Sequence, residues 1–256
     1  MNLPQPIADL VGELAGMPGA VAVALGGSRA LGASEANTDW DFGLYYRGNI
    51  DLTALAARGT VYPPGAWGRL MNGGAWLACG DERVDVLLRD LDVVEHWTRR
   101  AELGEFEVDA LLGYVAGVPT YLLCAELASC QLLQGTLPTA PFPSALAAGA
   151  PQRWRFCRSF SLEYARVYAA RGNHVGAVAQ GAKAVMEEAH AVMCEQRRWV
   201  CNEKRLIDAA GLGGVQSLFA HVPSETPEFI RWVDDVAHRL GVQPDDRMPW
   251  MARAVR

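Results

Sequence analysis

Three carboxylates and one glycine turn are the residues of this chain best placed to do chemistry on a charged substrate. Asp39 and Asp41 flank the bulky Trp40, and ten residues separate Ser28 from Asp39. In an extended strand residues i and i+2 point to one face, so the two acids can converge on a single cation while Trp40 and Phe42 face a core. Asp85 stands between Val84 and Val86 and, on a strand, points away from the side those two occupy. Beside the strand of Asp41 it would make a third acid, and three hard oxygen donors outline a metal site. Upstream, the apolar run Ala20 to Leu25 breaks into Gly26, Gly27 and Ser28. Lacking Cβ atoms, such a turn lets a phosphate approach backbone N–H groups at a helix start.

These side chains need a frame. Residues 5 to 16 suit a short amphipathic helix ended by Pro18-Gly19, and Ala20 to Leu25 reads as a buried strand. Ser28 can cap a one-turn helix stopped by Gly32. Thr38 to Tyr46 is the second strand, 50 to 58 reads as a helix, and Thr60 to Gly74, with Pro63, Pro64 and several glycines, as a loop. A hairpin follows, Ala75 to Cys79 and Arg83 to Leu88 around Gly80-Asp81. Residues 91 to 103 read as a charged helix and 105 to 112 as a strand or extended connection. Helical spacing then dominates in Tyr121 to Leu133, Gln152 to Ala170, His174 to Arg198, Glu203 to Ala210 and Pro227 to Leu240, with Pro138, Pro141, Pro143 and Gly149 marking a linker. The pattern predicts an α+β domain over residues 1–115, a mixed β-sheet flanked by helices, and an all-α helical bundle over 116–256.

Composition narrows the partners. The 256 residues are half hydrophobic and one-fifth charged, with a formal net charge of -6, which is ordinary for a globular protein and gives no chain-wide basic footprint for nucleic acid. Only Lys183 and Lys204 are lysine among 23 basic residues. Six cysteines show no C-x-x-C pair and the histidines no H-E-x-x-H, so the cysteines read as buried thiols of a reducing compartment. The first residues lack a basic-then-apolar pattern, and the most apolar tract, Ala110 to Leu133, is broken by Gly113, Gly117, Pro119 and Glu126. The expectation is a cytoplasmic protein without a membrane span.

The motifs Leu25-Gly26-Gly27-Ser28, Asp39-Trp40-Asp41-Phe42 and Val84-Asp85-Val86, in that order and spacing, resemble the nucleotidyltransferase superfamily that includes DNA polymerase beta. The chain is similar, over residues 20 to 90 above all, to bacterial enzymes with a helical C-terminal domain that nucleotidylate antibiotics such as aminoglycosides and lincosamides. The resemblance implies a magnesium-dependent transfer, with two ions, of a nucleoside monophosphate from ATP or another NTP to a hydroxyl of a small acceptor, releasing pyrophosphate. It implies Asp39, Asp41 and Asp85 as catalytic metal ligands, and Gly26, Gly27, Ser28, Arg29 and Lys183 as nucleotide-binding residues. Two other readings stay open: nucleotidylation of a tRNA or protein, and a nucleotide-binding module without turnover.

Other residues are weaker candidates. Asp85, Glu126, Glu163, Glu187 and Glu188 could each supply a base. Glu187 and His190 share an i, i+3 spacing that more often marks a hydrogen-bonded helix face than a metal site. Trp67, Asn72, Trp76, Tyr121 and Trp154 could line an acceptor cleft, although aromatic residues are more often core.

Overall fold

The computed structural model describes residues 3–30, 32 and 38–242. In chain order the elements are α1 (Gln5–Ala15), β1 (Ala20–Leu25), α2 (Gly27–Ala30), β2 (Trp40–Tyr46), β3 (Gly59–Tyr62), α3 (Gly68–Met71), β4 (Gly74–Cys79), β5 (Glu82–Asp90) and α4 (Leu91–Glu102). There follow β6 (Val108–Asp109), β7 (Val118–Pro119), α5 (Leu122–Ser129), β8 (Gln131–Gly135), α6 (Ser144–Ala170), α7 (His174–Glu195), α8 (Leu206–Ala209), α9 (Gln216–Phe219) and α10 (Thr226–Arg239). Residues up to Arg100 together with Thr120–Pro141 form one compact unit, and Ala101–Pro119 with the chain from Phe142 form the other. The division is therefore not the single cut expected at 115/116.

The first unit is built on a six-stranded mixed sheet in the order β3-β4-β5-β2-β1-β8. Only β2 and β5 run parallel; the other neighbours are antiparallel. Alternation sorts the two faces. Phe42, Leu44, Val84, Val86, Leu88, Val23 and Leu25 turn to one side, where α1 lays down Ile7, Leu10, Val11 and Leu14. Those four fall at i, i+3, i+4 and i+7, the stripe a core-facing helix presents. Asp41 and Asp85 alternate with this set and so belong to the opposite face. Farther along that face, Arg89 of β5 is buried and donates from Nε and Nη2 to the Glu126 carboxylate of α5 at 2.5 and 2.6 Å.

The second unit pairs the long α6 and α7 and closes them with α10. Its core joins Leu162, Ala165 and Ala169 to Ala177, Ala184 and Val185, and to Phe229, Trp232, Val233 and Val236. Asn173 caps α7 by accepting the Gly176 N–H at 2.9 Å, as its residue type favours. At Gly181 a Cβ would stand 3.1 Å from the Trp232 ring, so the small residue lets that ring pack close. The unit is not purely helical: β6 and β7 make a short antiparallel ladder, Val108 to Pro119 and Asp109 to Val118. No helix among the described residues is long and apolar enough to cross a membrane.

Several boundaries differ from the sequence reading. The loop assigned to 60–74 contains β3 and the one-turn α3, because Thr60, Val61 and Tyr62 pair with β4 before Pro63 can end the strand. Residues 50–58 hold a 3₁₀ turn, Thr53–Ala57, rather than a full helix. The helix expected over 121–133 stops at Ser129, and Gln131–Gly135 becomes an edge strand against β1. Tertiary pairing there overrides a weak local preference. Finally, α6 starts at Ser144 and carries Gly149 and Pro151 inside it. Proline removes one helical N–H and crowds the preceding turn, yet Leu146, Ala150, Pro151 and Trp154 are all buried, and that packing holds the helix together.

Candidate functional site

The glycine turn and the acids meet through backbone pairing. Leu25 is the last residue of β1 and lies opposite Phe42; immediately after it, the Gly26 N–H donates to the Asp41 carbonyl at 2.7 Å. Gly27 takes φ +62, and a Cβ there would stand 1.8 Å from Asp41 Oδ2. Only glycine satisfies both the backbone and that approach. α2 begins at Gly27, so Ser28 lies in its first turn instead of capping it. The turn therefore rests directly against one acid.

Parallel pairing supplies the second. Asp41 is the register partner of Asp85, and strands pair about 4.8 Å apart. Trp40, Phe42, Val84 and Val86 are all buried on the core side, leaving the two carboxylates side by side on the other face, each half-buried. Asp39 precedes β2. Its Oδ1 accepts from Arg83 Nε at 2.8 Å, with the acid 38% exposed and the arginine 74%. Exposed pairs of this kind contribute roughly 0–1 kcal/mol, so the bond holds Asp39 only weakly. The three acids are thus a register pair plus a neighbour engaged elsewhere. Among the described residues no group of three or more His, Cys, Asp or Glu is disposed to hold a metal ion. Two adjacent carboxylates do fit magnesium, which usually takes one or two from the protein and its remaining oxygens from phosphates and water.

Arg29 is committed to the chain. Its Nε donates to the carbonyls of Thr38 at 3.0 Å and Asp39 at 3.3 Å, and its guanidinium lies 4.1 Å over the Trp40 ring. Trp40 Nε1 in turn donates to Glu82 at 3.1 Å. These contacts anchor the segment that leads Asp39 into β2. Lys183 lies on α7 in the helical unit, 41% exposed, with Nζ 3.8 Å from Glu187 Oε1.

The other acids considered as bases divide clearly. Glu126 is bound to Arg89, Glu163 accepts from Arg166 at 2.7 Å, and Glu188 accepts from Arg158 at 2.6 Å and from Arg155. Ion-paired to arginine, these are structural acids. Glu187 differs. It is buried, accepts the Ser161 hydroxyl at 2.8 Å, and is pushed up to about 7, by burial above all, while the Ser161 bond and Lys183 pull it down and Glu203 adds repulsion. Sequence reasoning missed Glu203, whose carboxylate accepts the N–H groups of Val115 at 2.5 Å and Ala116 at 3.0 Å and stands 3.6 Å from His190 Nε2. Burial raises Glu203, but the nearby His190 ring and the two amide bonds outweigh it and leave its pKa lowered. No local pattern in the sequence announces a contact spanning nearly ninety residues.

The expected cleft residues separate by burial. Tyr121 and Trp154 are core, at 2% and 1% exposure, and Trp154 stacks on His190 with ring centroids 4.5 Å apart. Trp76 is 52% exposed. Asn72 sits at φ +64, donating to the Tyr46 hydroxyl and accepting the Gly65 N–H, both at 2.8 Å, while its carbonyl accepts the Trp67 N–H at 2.9 Å. It organises the loop that carries Trp67.

No family model matches the chain, and no curated protein matches it. Among solved structures, a nucleotidyltransferase-like protein from Exiguobacterium sibiricum 255-15 is similar at 12% identity, covering 93% of this chain and 74% of that one with a TM-score of 0.48. At this identity and TM-score the likeness decides neither family nor chemistry.

Proposed function

We propose that the chain is a magnesium-dependent nucleotidyltransferase that moves a nucleoside monophosphate, most simply AMP from ATP, onto the hydroxyl of a small acceptor and releases pyrophosphate. One observation carries the reading: Asp41 is paired in register with Asp85 on one side and packed against the Gly27 turn on the other. Carboxylates and a phosphate-accommodating turn are thereby joined within a few ångströms.

Asp41 and Asp85 would hold the metal, with Asp39 joining when it leaves Arg83. Magnesium, when bound, would neutralise phosphate charge and act as a Lewis acid on the phosphoryl group. The N–H groups of Gly27 and Ser28 receive phosphate oxygens. Arg29 keeps Asp39 in place through the Thr38 and Asp39 carbonyls. In the transfer, the acceptor oxygen forms a bond to the α-phosphorus as the bridging oxygen toward the β-phosphorus departs with pyrophosphate. The acceptor proton passes to Asp85, which general-base catalysis requires to lie within hydrogen-bond reach.

The test is pyrophosphate release across the four NTPs with aminoglycosides, lincosamides and tRNA as acceptors. Asp41→Asn and Asp39→Asn are expected to lower the rate on the order of 100-fold or more, the scale of losing preorganised charge at the reacting centre. Full activity in both variants overturns the metal assignment. The Asp39–Arg83 pair favours one other reading, a nucleotide-binding module without turnover; magnesium-dependent ATP binding with no pyrophosphate from any acceptor would establish it.

A further inference from the structure

The acidic face does not end at Asp85. Asp85 is the direct register partner of Trp76 on β4, a position where side chains stand about 5 Å apart at their Cβ atoms. Trp76 alternates with Gly74, and β3 places Thr60 opposite Trp76 and Tyr62 opposite Gly74. All of these residues share the face of Asp41 and Asp85. Gly74 leaves room for another ring: a Cβ there would lie 2.8 Å from the Trp67 indole. Trp67 therefore lies on the sheet beside Trp76, their centroids 5.7 Å apart and their planes within 28°. Tyr62 completes the cluster at 4.9 Å from each tryptophan. Asn72, at its positive φ, fixes the loop bearing Trp67 from both ends.

Across the strands the order is then glycine turn, Asp41, Asp85, aromatic cluster. The phosphate-accepting end and the stacking end lie on opposite sides of the carboxylates. A large exposed indole is costly to leave in water, and this one continues the catalytic face.

Resting on the nucleotidyl-transfer reading, we propose that Tyr62, Trp67 and Trp76 form the acceptor platform, and that the acceptor is a hydroxyl-bearing ring compound whose flat or C–H face stacks on Trp76. Stacking there sets the acceptor hydroxyl beside Asp85, away from the turn that takes the donor phosphates. Trp76 is the specificity-determining residue, and Trp67 and Tyr62 hold its ring in place. The donor nucleobase is not the occupant, because a triphosphate anchored at Gly27 and a base stacked on Trp76 would span both sides of the acids and leave no approach for an acceptor.

The experiment uses the full chain labelled with 5-fluorotryptophan. Its eight tryptophans are observed by fluorine NMR, and the signals of Trp76 and Trp67 are assigned with W76F and W67F. The probes are 4-nitrophenyl β-D-glucopyranoside for the platform and magnesium with an α,β-methylene ATP analogue for the donor side. The glucoside is expected to shift both assigned signals saturably, W76A to weaken it about tenfold, as loss of one stacking partner does, and W76F to keep most of its affinity. The donor analogue should leave both signals in place and bind W76A with unchanged affinity by calorimetry. Movement of the two signals by the donor analogue overturns the proposal, as does a glucoside that shifts neither signal at its solubility limit. Failure of the parent reading shows separately, as an absence of donor-analogue binding to the unsubstituted protein.

Discussion

At Gly27 a single hydrogen stands where any other residue would place a carbon against the Asp41 carboxylate. Gly27→Ala would bring a Cβ within 1.8 Å of Oδ2 at φ +62, so either the turn or the acid must move. The expected outcome is a loss of about 1–3 kcal/mol in urea unfolding and, on the proposed nucleotidyl-transfer reading, a fall in transfer rate of about 100-fold, the scale of an ångström-level misplacement. Glu187 offers a test in the helical unit. Its folded pKa of about 7 exceeds the ordinary 4.5, so the native state binds this proton more tightly than the unfolded chain does. The resulting stabilisation is fully present below about 4.5, is lost as pH rises toward about 7, and stays lost above it. Glu187→Gln keeps an acceptor for Ser161 and removes the titration. Its stability should be flatter across that window, and at pH above 7 it should exceed the parent by up to roughly 3 kcal/mol in chemical denaturation.

Elements are held by contacts that join distant segments. The clearest within the sheet unit is Arg89 of β5 to Glu126 of α5, with Arg89 Nη1 also donating to the carbonyls of Met71 at 3.1 Å and Leu88 at 2.9 Å. Glu126→Ala leaves a buried guanidinium without its counter-charge, and a loss of about 3 kcal/mol in urea unfolding is expected. Pairing that change with Arg89→Met should recover part of the loss, because the charge goes too while the Met71 carbonyl forfeits its donor. The same residue illustrates how function can be misassigned from type alone: Glu126 offered itself as a base, and its bidentate bond makes it a brace.

At the scale of the molecule, the chain passes between its two units more than once. α5 and β8 follow the segment 101–119, which belongs to the helical unit, yet they complete the sheet unit. A fragment ending at residue 115 lacks the β8 partner of β1 and the Glu126 partner of Arg89. It is expected to aggregate or to melt without a cooperative transition by circular dichroism, whereas a fragment ending at residue 141 retains both partners and should melt cooperatively. An exposed sheet edge and an uncompensated buried charge act in the same direction.

The sequence by itself determined the turn and the acids of the candidate site. The glycine turn, the i, i+2 acids and Val84-Asp85-Val86 are short-range patterns, and a period of two assigns their faces before any folding is known. The hairpin of β4 and β5, the first helix and the helical character of the later chain were legible for the same reason: local spacing encodes them. Only the tertiary structure decided the rest. Register set Asp41 against Asp85 and Asp85 against Trp76; long-range ion pairs removed Glu126 and Glu188 from the list of bases; burial made Tyr121 and Trp154 core while leaving Trp76 in solvent. A strand at Gln131–Gly135 exists because β1 offers it an edge, not because its residues demand it. Partners distant along the chain leave no period to read, so these facts belong to the fold.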